Sequence, residues 1–163
     1  MKRISIITLA VIALSSFVAN NVCGQSPHFL KCSASGVNAD GSLQACFKIA
    51  GLGSNQQLTV TASADATAVW GCLNHGGQCP NSKVTSTGTV TASGTFTSGQ
   101  NGQITGCLGV EPPSPPAGFG CPNGQRLVLV SVTYTNVSVS APGAGSCDTS
   151  PGTFSANFYP QCP

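Results

Sequence analysis

The chain has 163 residues, only 6% of them charged, and a formal net charge of +2. Its first two cations, Lys2 and Arg3, precede an apolar run, and beyond residue 24 four cations are balanced by four acids. This balance excludes a basic face for nucleic acid or an anionic membrane, and an acidic field for a cationic partner.

Residues 1–24 have the pattern of an export signal. A basic pair is followed by the apolar run Ile4–Val18, and small residues precede a cleavage site before Gln25. We expect the signal to be removed and residues 25–163 to fold as a single domain, with no membrane contact after cleavage. The expected location is secreted and extracellular, with the periplasm as the alternative.

The first predicted elements are two strands, Pro27–Ser35 and Ser42–Ile49, joined by a type I turn. Gly41 takes the left-handed position of that turn. The loop length places Ala34 opposite Cys46 on the second strand.

Three β segments follow in the middle of the chain. Gln57–Ala64 and Thr67–Cys72 are predicted as separate strands, with Asp65 in a turn between them. Lys83–Ser98 is predicted as a hairpin or a bent strand around residues 92–94. A further strand is predicted at Gln103–Val110.

The strongest strand signal lies near the C-terminus, at Cys121–Ser140. Apolar residues alternate through this stretch until Thr135, where the phase shifts by one residue, which predicts a bulge or bend near Asn136. Four prolines make residues 111–120 an extended surface loop. Thr153–Tyr159 is predicted as a last edge strand.

The pattern of short strands and turns, without helical periodicity, predicts an all-β fold. We expect a disulfide-stapled β-sandwich of about eight strands, immunoglobulin-like or jelly-roll-like. Eight cysteines remain after signal cleavage, and an even number in an exported chain indicates disulfides rather than a metal or redox site. The candidates are Cys32, Cys46, Cys72, Cys79, Cys107, Cys121, Cys147 and Cys162.

Candidate binding residues are few. Asn74 and His75 lie in a glycine-rich loop, and Trp70, Phe119 and Tyr159 offer aromatic faces for sugar stacking, although core burial is the commoner use of such side chains. Cys72, His75 and Cys79 are spaced like metal ligands, but oxidised cysteines bind no metal, so neither a metal nor another cofactor is expected. With four acids and no nucleophile-elbow motif, no catalytic residue is assigned.

Alternating threonines mark one segment, at residues 85, 87, 89 and 91 and again at 95 and 97. Such a ladder can match a regular surface such as ice or crystalline polysaccharide, but threonine is also favoured on the solvent face of any strand. Asn136-Val137-Ser138 is a glycosylation sequon, relevant only in a eukaryotic secretory route.

Several stretches resemble a set of small secreted microbial proteins with no assigned function. The matching motifs are SPHF (26–29), KIAGLG (48–53), TASADATAVWGC (61–72), NHGG (74–77), GTFTSGQNGQITG (94–106), CPNGQ (121–125) and VSVTYTNVSV (130–139). The resemblance implies a Cys72–Cys121 bridge, which leaves Cys79–Cys107, Cys32–Cys46 and Cys147–Cys162. A competing scheme joins Cys72 to Cys79 and Cys107 to Cys121.

We therefore expect a secreted, non-catalytic structural or binding protein whose partner is an extracellular polysaccharide or a surface protein. Two alternatives remain. One is a secreted enzyme with a cryptic site near the Cys72–Cys79 loop. The other is a small inhibitor or effector that presents its proline loop to a protein partner.

Overall fold

The computed structural model describes residues 26–79, 82–150 and 152–162, and the predicted export signal lies outside them. The described chain is an all-β sandwich, as predicted. Its eight strands are β1 (His28–Val37), β2 (Leu43–Ala50), β3 (Gln57–Asn74), β4 (Lys83–Thr97), β5 (Ile104–Val110), β6 (Gln125–Ala141), β7 (Gly145–Asp148) and β8 (Thr153–Asn157).

The strands form two antiparallel sheets. The small sheet has the order β1-β2-β5, and the large sheet has the order β4-β3-β6-β7, with β8 beside β7 on the same edge of β6. The structure thus confirms the predicted β-sandwich of about eight strands. The chain changes sheets after β2, β4 and β5.

One apolar core fills the space between the sheets. It takes alternate residues from β2, from Leu43 to Ile49, and a run of alanines from β3, from Ala62 to Ala68. Val132, Tyr134 and the valines beyond them on β6 complete it. The period-two burial on each strand follows from strand geometry, in which successive side chains point to opposite faces.

The central strand of the large sheet is β6, which lies between β3 on one side and β7 and β8 on the other. The predicted bulge near Asn136 is confirmed, because the pairing with β3 shifts by one residue there and Asn136 has a φ of 53°. Tyr134 and Val137 are both buried on either side of it. A second shift lies at Val130, whose carbonyl accepts a hydrogen bond from the amide of Phe158 at 2.8 Å.

Three predicted boundaries were wrong. The two short strands predicted before Cys72 are one 18-residue strand, β3, and Asp65 lies in it rather than in a turn. The predicted hairpin is absent, since β4 is one strand whose register with β3 is unbroken from Lys83 to Thr97. The short strand β7 was not predicted, and only its pairing with β6 defines it.

The predicted register of the first hairpin was also wrong. Gly41 has the expected positive φ, but a bulge between Ala34 and Val37 pairs Ala34 with Ala45 instead of Cys46. A one-residue slip moves every later side chain to the other face of the sheet. Cys32 therefore packs against the core, while Cys46 lies on the outer face, so these two cysteines cannot meet.

The structure pairs Cys72 with Cys121, as the resemblance implied. The other three implied pairs were wrong, since the bridges are Cys32–Cys147, Cys46–Cys107 and Cys79–Cys162. The competing scheme was wrong as well. The reason is register, because Cys46 lies directly opposite Cys107 across β2 and β5, and Cys32 on β1 faces β7 of the other sheet.

Tyr134 joins the two sheets through its phenol. The side chain is fully buried, and its hydroxyl donates to the carbonyl oxygen of Gly41 at 2.7 Å. Burial, and then the nearby charges of Glu111 and Asp40, raise the pKa of this phenol above its usual range. We expect Tyr134→Phe to lower the free energy of unfolding by about 1–3 kcal/mol near pH 7, because the Gly41 carbonyl loses its donor.

The pH dependence of this loss follows from the same shift. Above about pH 10 the unfolded chain releases the phenolic proton and the folded chain keeps it, so the stability of the wild type falls as the pH rises. Tyr134→Phe lacks this component, and urea unfolding from pH 8 to 11 should show the difference between the two proteins shrinking. A constant difference across that range would contradict the assignment.

Candidate functional site

The outer face of the large sheet is a two-dimensional array of hydroxyl groups. Registered rows run across β4, β3, β6 and the edge strands, for example Thr87–Thr67–Thr133–Ser155 and Ser93–Thr61–Ser140–Ser146. Threonine or serine occupies the positions of these rows except at Gln57, Asp65, Val69, Asp148 and Asn157. We call this surface the hydroxyl face.

The predicted threonine ladder of β4 is one edge of this face. Three of its threonines, Thr87, Thr91 and Thr95, lie opposite threonine or serine on β3, and the other three lie opposite Gln57, Asp65 and Val69. Some of the hydroxyls are bonded to each other. Thr59 and Thr95 lie 3.2 Å apart between hydroxyl oxygens, and Thr61 and Ser93 lie 2.8 Å apart. These bonds hold the hydroxyls in fixed orientations before any ligand arrives, which lowers the entropic cost of binding.

A carboxylate lies near the middle of the hydroxyl face. The Thr89 hydroxyl donates to one oxygen of Asp65 at 2.7 Å, and the Asn136 amide donates to the other at 2.8 Å. The bonds from Asn136 and Thr89 hold the pKa of Asp65 below its usual value, so it stays ionised over ordinary pH. These bonds also explain why an aspartate is tolerated inside a strand, where the sequence predicted a turn.

Asp65 lies in a shallow depression of about 300 Å³. Its walls are threonines of three strands, Thr67, Thr87 and Thr135, and its rim includes Gly88, where an added Cβ would meet nothing within 4 Å. Each carboxylate oxygen accepts one bond and has capacity for another. The depression can therefore accept hydrogen bonds from hydroxyl groups of a ligand.

The sequon residue Asn136 is exposed, on the hydroxyl face. Its side-chain nitrogen, the atom that a glycan would occupy, donates to Asp65. Glycosylation at Asn136 remains a prediction, and it would leave this nitrogen a single hydrogen and place a sugar chain beside the depression.

The aromatic candidates are not brought together. Trp70 packs against the main core, and its indole nitrogen donates to the carbonyl of Pro113 at 3.0 Å, which attaches the proline loop to β3. Tyr159 packs on a second apolar cluster with Val128, Val130 and Cys162. Phe119 is half-buried in the proline loop, beside the turn where its amide donates to Pro116.

Asn74 and His75 lie at the end of the large sheet. Register pairs Asn74 with Gln125, and the Cys72–Cys121 bridge brings the two turns side by side, as the sequence suggested. Asn74 uses its side-chain oxygen to accept the amide of Gln78 at 2.9 Å, so it shapes its own loop.

Between these turns lies an open pocket of about 340 Å³, lined by Leu73, Asn74, His75, Gly77, Gly124, Gln125 and Arg126. The side-chain oxygen of Gln125 is buried and has no hydrogen-bond partner among the described residues. Arg126 can bind an anion, and a ring N–H of His75 can donate a hydrogen bond to a ligand oxygen. The described lining holds no carboxylate or hydroxyl side chain that would supply acid, base or nucleophile beside His75.

The cysteines of the metal-like motif are both oxidised, Cys72 to Cys121 and Cys79 to Cys162. Within residues 26–79, 82–150 and 152–162, no three metal-ligating side chains cluster. In the same part of the chain, no helix is long and apolar enough to cross a membrane.

Comparison with known proteins leaves the family open. No family model, no curated protein and no solved structure matches the chain. The assignment of function therefore depends on the surfaces described above.

The sequence showed the β4 ladder but not the whole hydroxyl face. Ser63, Thr67 and Thr133 look like ordinary solvent-facing positions until the pairing of β3 with β4 and β6 places them in rows. The alternation of small hydroxyl residues on three separate segments was the available signal, and only the register joins them.

Proposed function

We propose that this protein is a secreted, non-catalytic binding protein that attaches to crystalline polysaccharide through the hydroxyl face. The observation that carries the proposal is the registered array of threonine and serine around the ionised Asp65. A polysaccharide crystal presents hydroxyl groups at regular spacings, and each protein hydroxyl can both donate to and accept from them.

The physical chemistry favours a solid, periodic target over a free sugar. Each hydrogen bond to the ligand replaces bonds to water, so its net contribution is only about 0.5–1.5 kcal/mol. Single contacts of this size give no useful affinity for a soluble sugar, but many contacts made at once on a rigid surface add up. The disulfides suit the same function, since four bridges limit unfolding outside the cell.

Removing hydroxyls from the face should weaken retention on insoluble polysaccharide. In Thr67→Val with Thr133→Val, two adjacent hydroxyls of one row are replaced by methyl groups of the same shape. We expect about a tenfold loss of retention in a pull-down on cellulose and chitin, because two hydrogen bonds are lost. The matched control is Ser33→Ala with Thr105→Val, on the outer face of the small sheet, which should bind like the wild type.

Three other outcomes are informative. Equal binding by both double variants would contradict the proposal. Loss of binding on His75→Ala, with Thr67→Val/Thr133→Val unaffected, would move the site to the end pocket. Failure to bind any polysaccharide, combined with inhibition of ice recrystallisation, would identify ice as the periodic surface.

A further inference from the structure

Strand β4 is an unprotected sheet edge. It is 15 residues long, it pairs with β3 throughout without a bulge, and no described strand pairs with its other side. Natural proteins protect such edges with lysine, proline, bulges or short strands, because unpaired backbone groups accept a strand from another chain. Strand β4 has a single charge, Lys83 at its first residue, and no proline.

The edges on the other side of the sandwich, formed by β1, β7 and β8, carry those protections. Strand β1 has two register shifts and Lys31, and its residue Cys32 is bonded to β7 of the facing sheet. Strands β7 and β8 have only four and five residues. Strand β5, on the same side as β4, has seven residues and pairs with β2 without a bulge. Addition of a further strand is thus blocked on the side of the sandwich formed by β1 and β7, whereas the side formed by β4 and β5 can accept one.

We propose that two copies of this protein pair through β4, antiparallel, with Val90 of each copy at the two-fold axis. A two-fold interface brings the same surface of both copies together, so the surface must be self-complementary. In this register Thr87 lies opposite Ser93 of the other copy, so hydroxyls meet hydroxyls on the outer face. On the inner face the half-buried Val84 of each copy lies opposite the half-buried Phe96 of the other.

The single charge of the strand also fits a second copy. With Val90 at the axis, Lys83 lies opposite Thr97, and the two lysines stand about 45 Å apart along the paired strands. Like charges directly opposite each other destabilise a strand pair, and this register avoids them. A strand of another protein would need a matching uncharged edge of its own.

Pairing would join two hydroxyl faces into one, since a two-fold axis perpendicular to the sheet keeps both outer faces on the same side. A paired protein would double the number of contacts with a periodic surface, and only this benefit depends on the proposed function. The pairing itself is inferred from the unprotected edge of β4.

Sedimentation over a range of protein concentration tests the pairing without any polysaccharide. We expect the mature wild type to form a dimer that dissociates on dilution. The variant Thr87→Lys/Ser93→Lys places two lysine pairs across the axis and should be a monomer at concentrations where the wild type is at least half dimeric. The matched control Thr153→Lys/Ser155→Lys adds the same charge on β8, at the other edge of the sheet, and should dimerise like the wild type.

A charge-reversal mixture makes the test specific for β4 and for its register. The variant Thr87→Glu/Ser93→Glu should also be a monomer alone, and mixing it with the lysine variant should restore a dimer containing one copy of each. A wild type that stays monomeric at every concentration overturns the pairing, whether or not it binds polysaccharide. A dimer that survives both charge variants places the interface elsewhere and also overturns it.

Discussion

Replacing Gly102 by alanine should lower the free energy of unfolding by more than about 4 kcal/mol, which is exceptional for a single methyl group. Gly102 is buried in the turn between β4 and β5 with a φ of 67°, and an added Cβ would overlap the carbonyl oxygen of Leu52. The overlapping oxygen belongs to the backbone, which cannot move aside by changing rotamer as a side chain can. The carbonyl oxygen of Gly102 also accepts a hydrogen bond from the amide of Leu52 at 3.0 Å. A backbone shift that relieved the overlap would therefore break that bond.

The effect is large because of what this contact joins. Leu52 lies where the chain leaves the small sheet, and Gly102 lies where it returns to it. Between these two crossings, the Ser54 hydroxyl donates to Gln100 and the Ser98 hydroxyl donates to Gly53. Ser98 is buried, and it also accepts the amide of Gln56. A shift at Gly102 therefore disturbs the connection between the sheets rather than one loop.

Gly118→Ala is the matched control. Gly118 also has a positive φ, 86°, but an added Cβ would meet nothing within 4 Å. The free energy of unfolding should fall only by the cost of an alanine in the left-handed conformation, about 1–2 kcal/mol. Thermal and urea unfolding of both variants measure the difference. Equal losses would show that the overlap relaxes freely, and a Gly102→Ala chain that cannot be recovered folded, while Gly118→Ala can, supports the argument.

Local signals predicted the fold, and long-range register did not follow from them. Alternating residues gave the strands, Gly41 gave the first turn, and the phase shift in the last long strand gave the bulge at Asn136. The bulge between Ala34 and Val37 contains Gly36 with a φ of 91°, but a glycine inside a strand indicates a bulge without fixing the register that follows. That single slip decided which cysteines face the core and hence which disulfides form.

Asp65 shows the same limit at the candidate site. Aspartate is depleted in strands, so the sequence favoured a turn. Its partners Thr89 and Asn136 are 24 and 71 residues away, and only the pairing of three strands brings them to its carboxylate. The hydroxyl face likewise required the register of β3 with β4 and β6. The two turns of the end pocket were predictable, since a short glycine-rich loop and a Cys-Pro-Asn-Gly turn each stand out in the sequence.

Removing the Cys32–Cys147 bridge should lower the free energy of unfolding by about 4–5 kcal/mol. The bridge closes a long segment, with a sequence separation of 115 residues, and the entropy of the unfolded chain rises when it is cut. Cys46→Ala/Cys107→Ala should lose a similar amount, because the entropy depends only on the logarithm of the loop length. Global unfolding of the two double variants therefore cannot separate their roles.

Local opening separates them, because the two bridges hold different elements. Strand β7 pairs with β6 over only four residues, and Cys32 ties it to β1 across the sandwich. In Cys32→Ala/Cys147→Ala, hydrogen exchange of the β7 amides should become fast. In Cys46→Ala/Cys107→Ala the β7 amides should stay protected, because that bridge joins β2 to β5 and the bridge from Cys32 to β7 is intact. Protected β7 amides without the Cys32 bridge would show that strand pairing alone closes this side.

The opposite side of the sandwich is held differently, by packing such as the edge-to-face contact of Phe47 and Phe96, with ring centroids 5.0 Å apart. The covalent closure therefore lies on the side where the strands are too short to hold themselves, and the β4 side is left free to accept another strand.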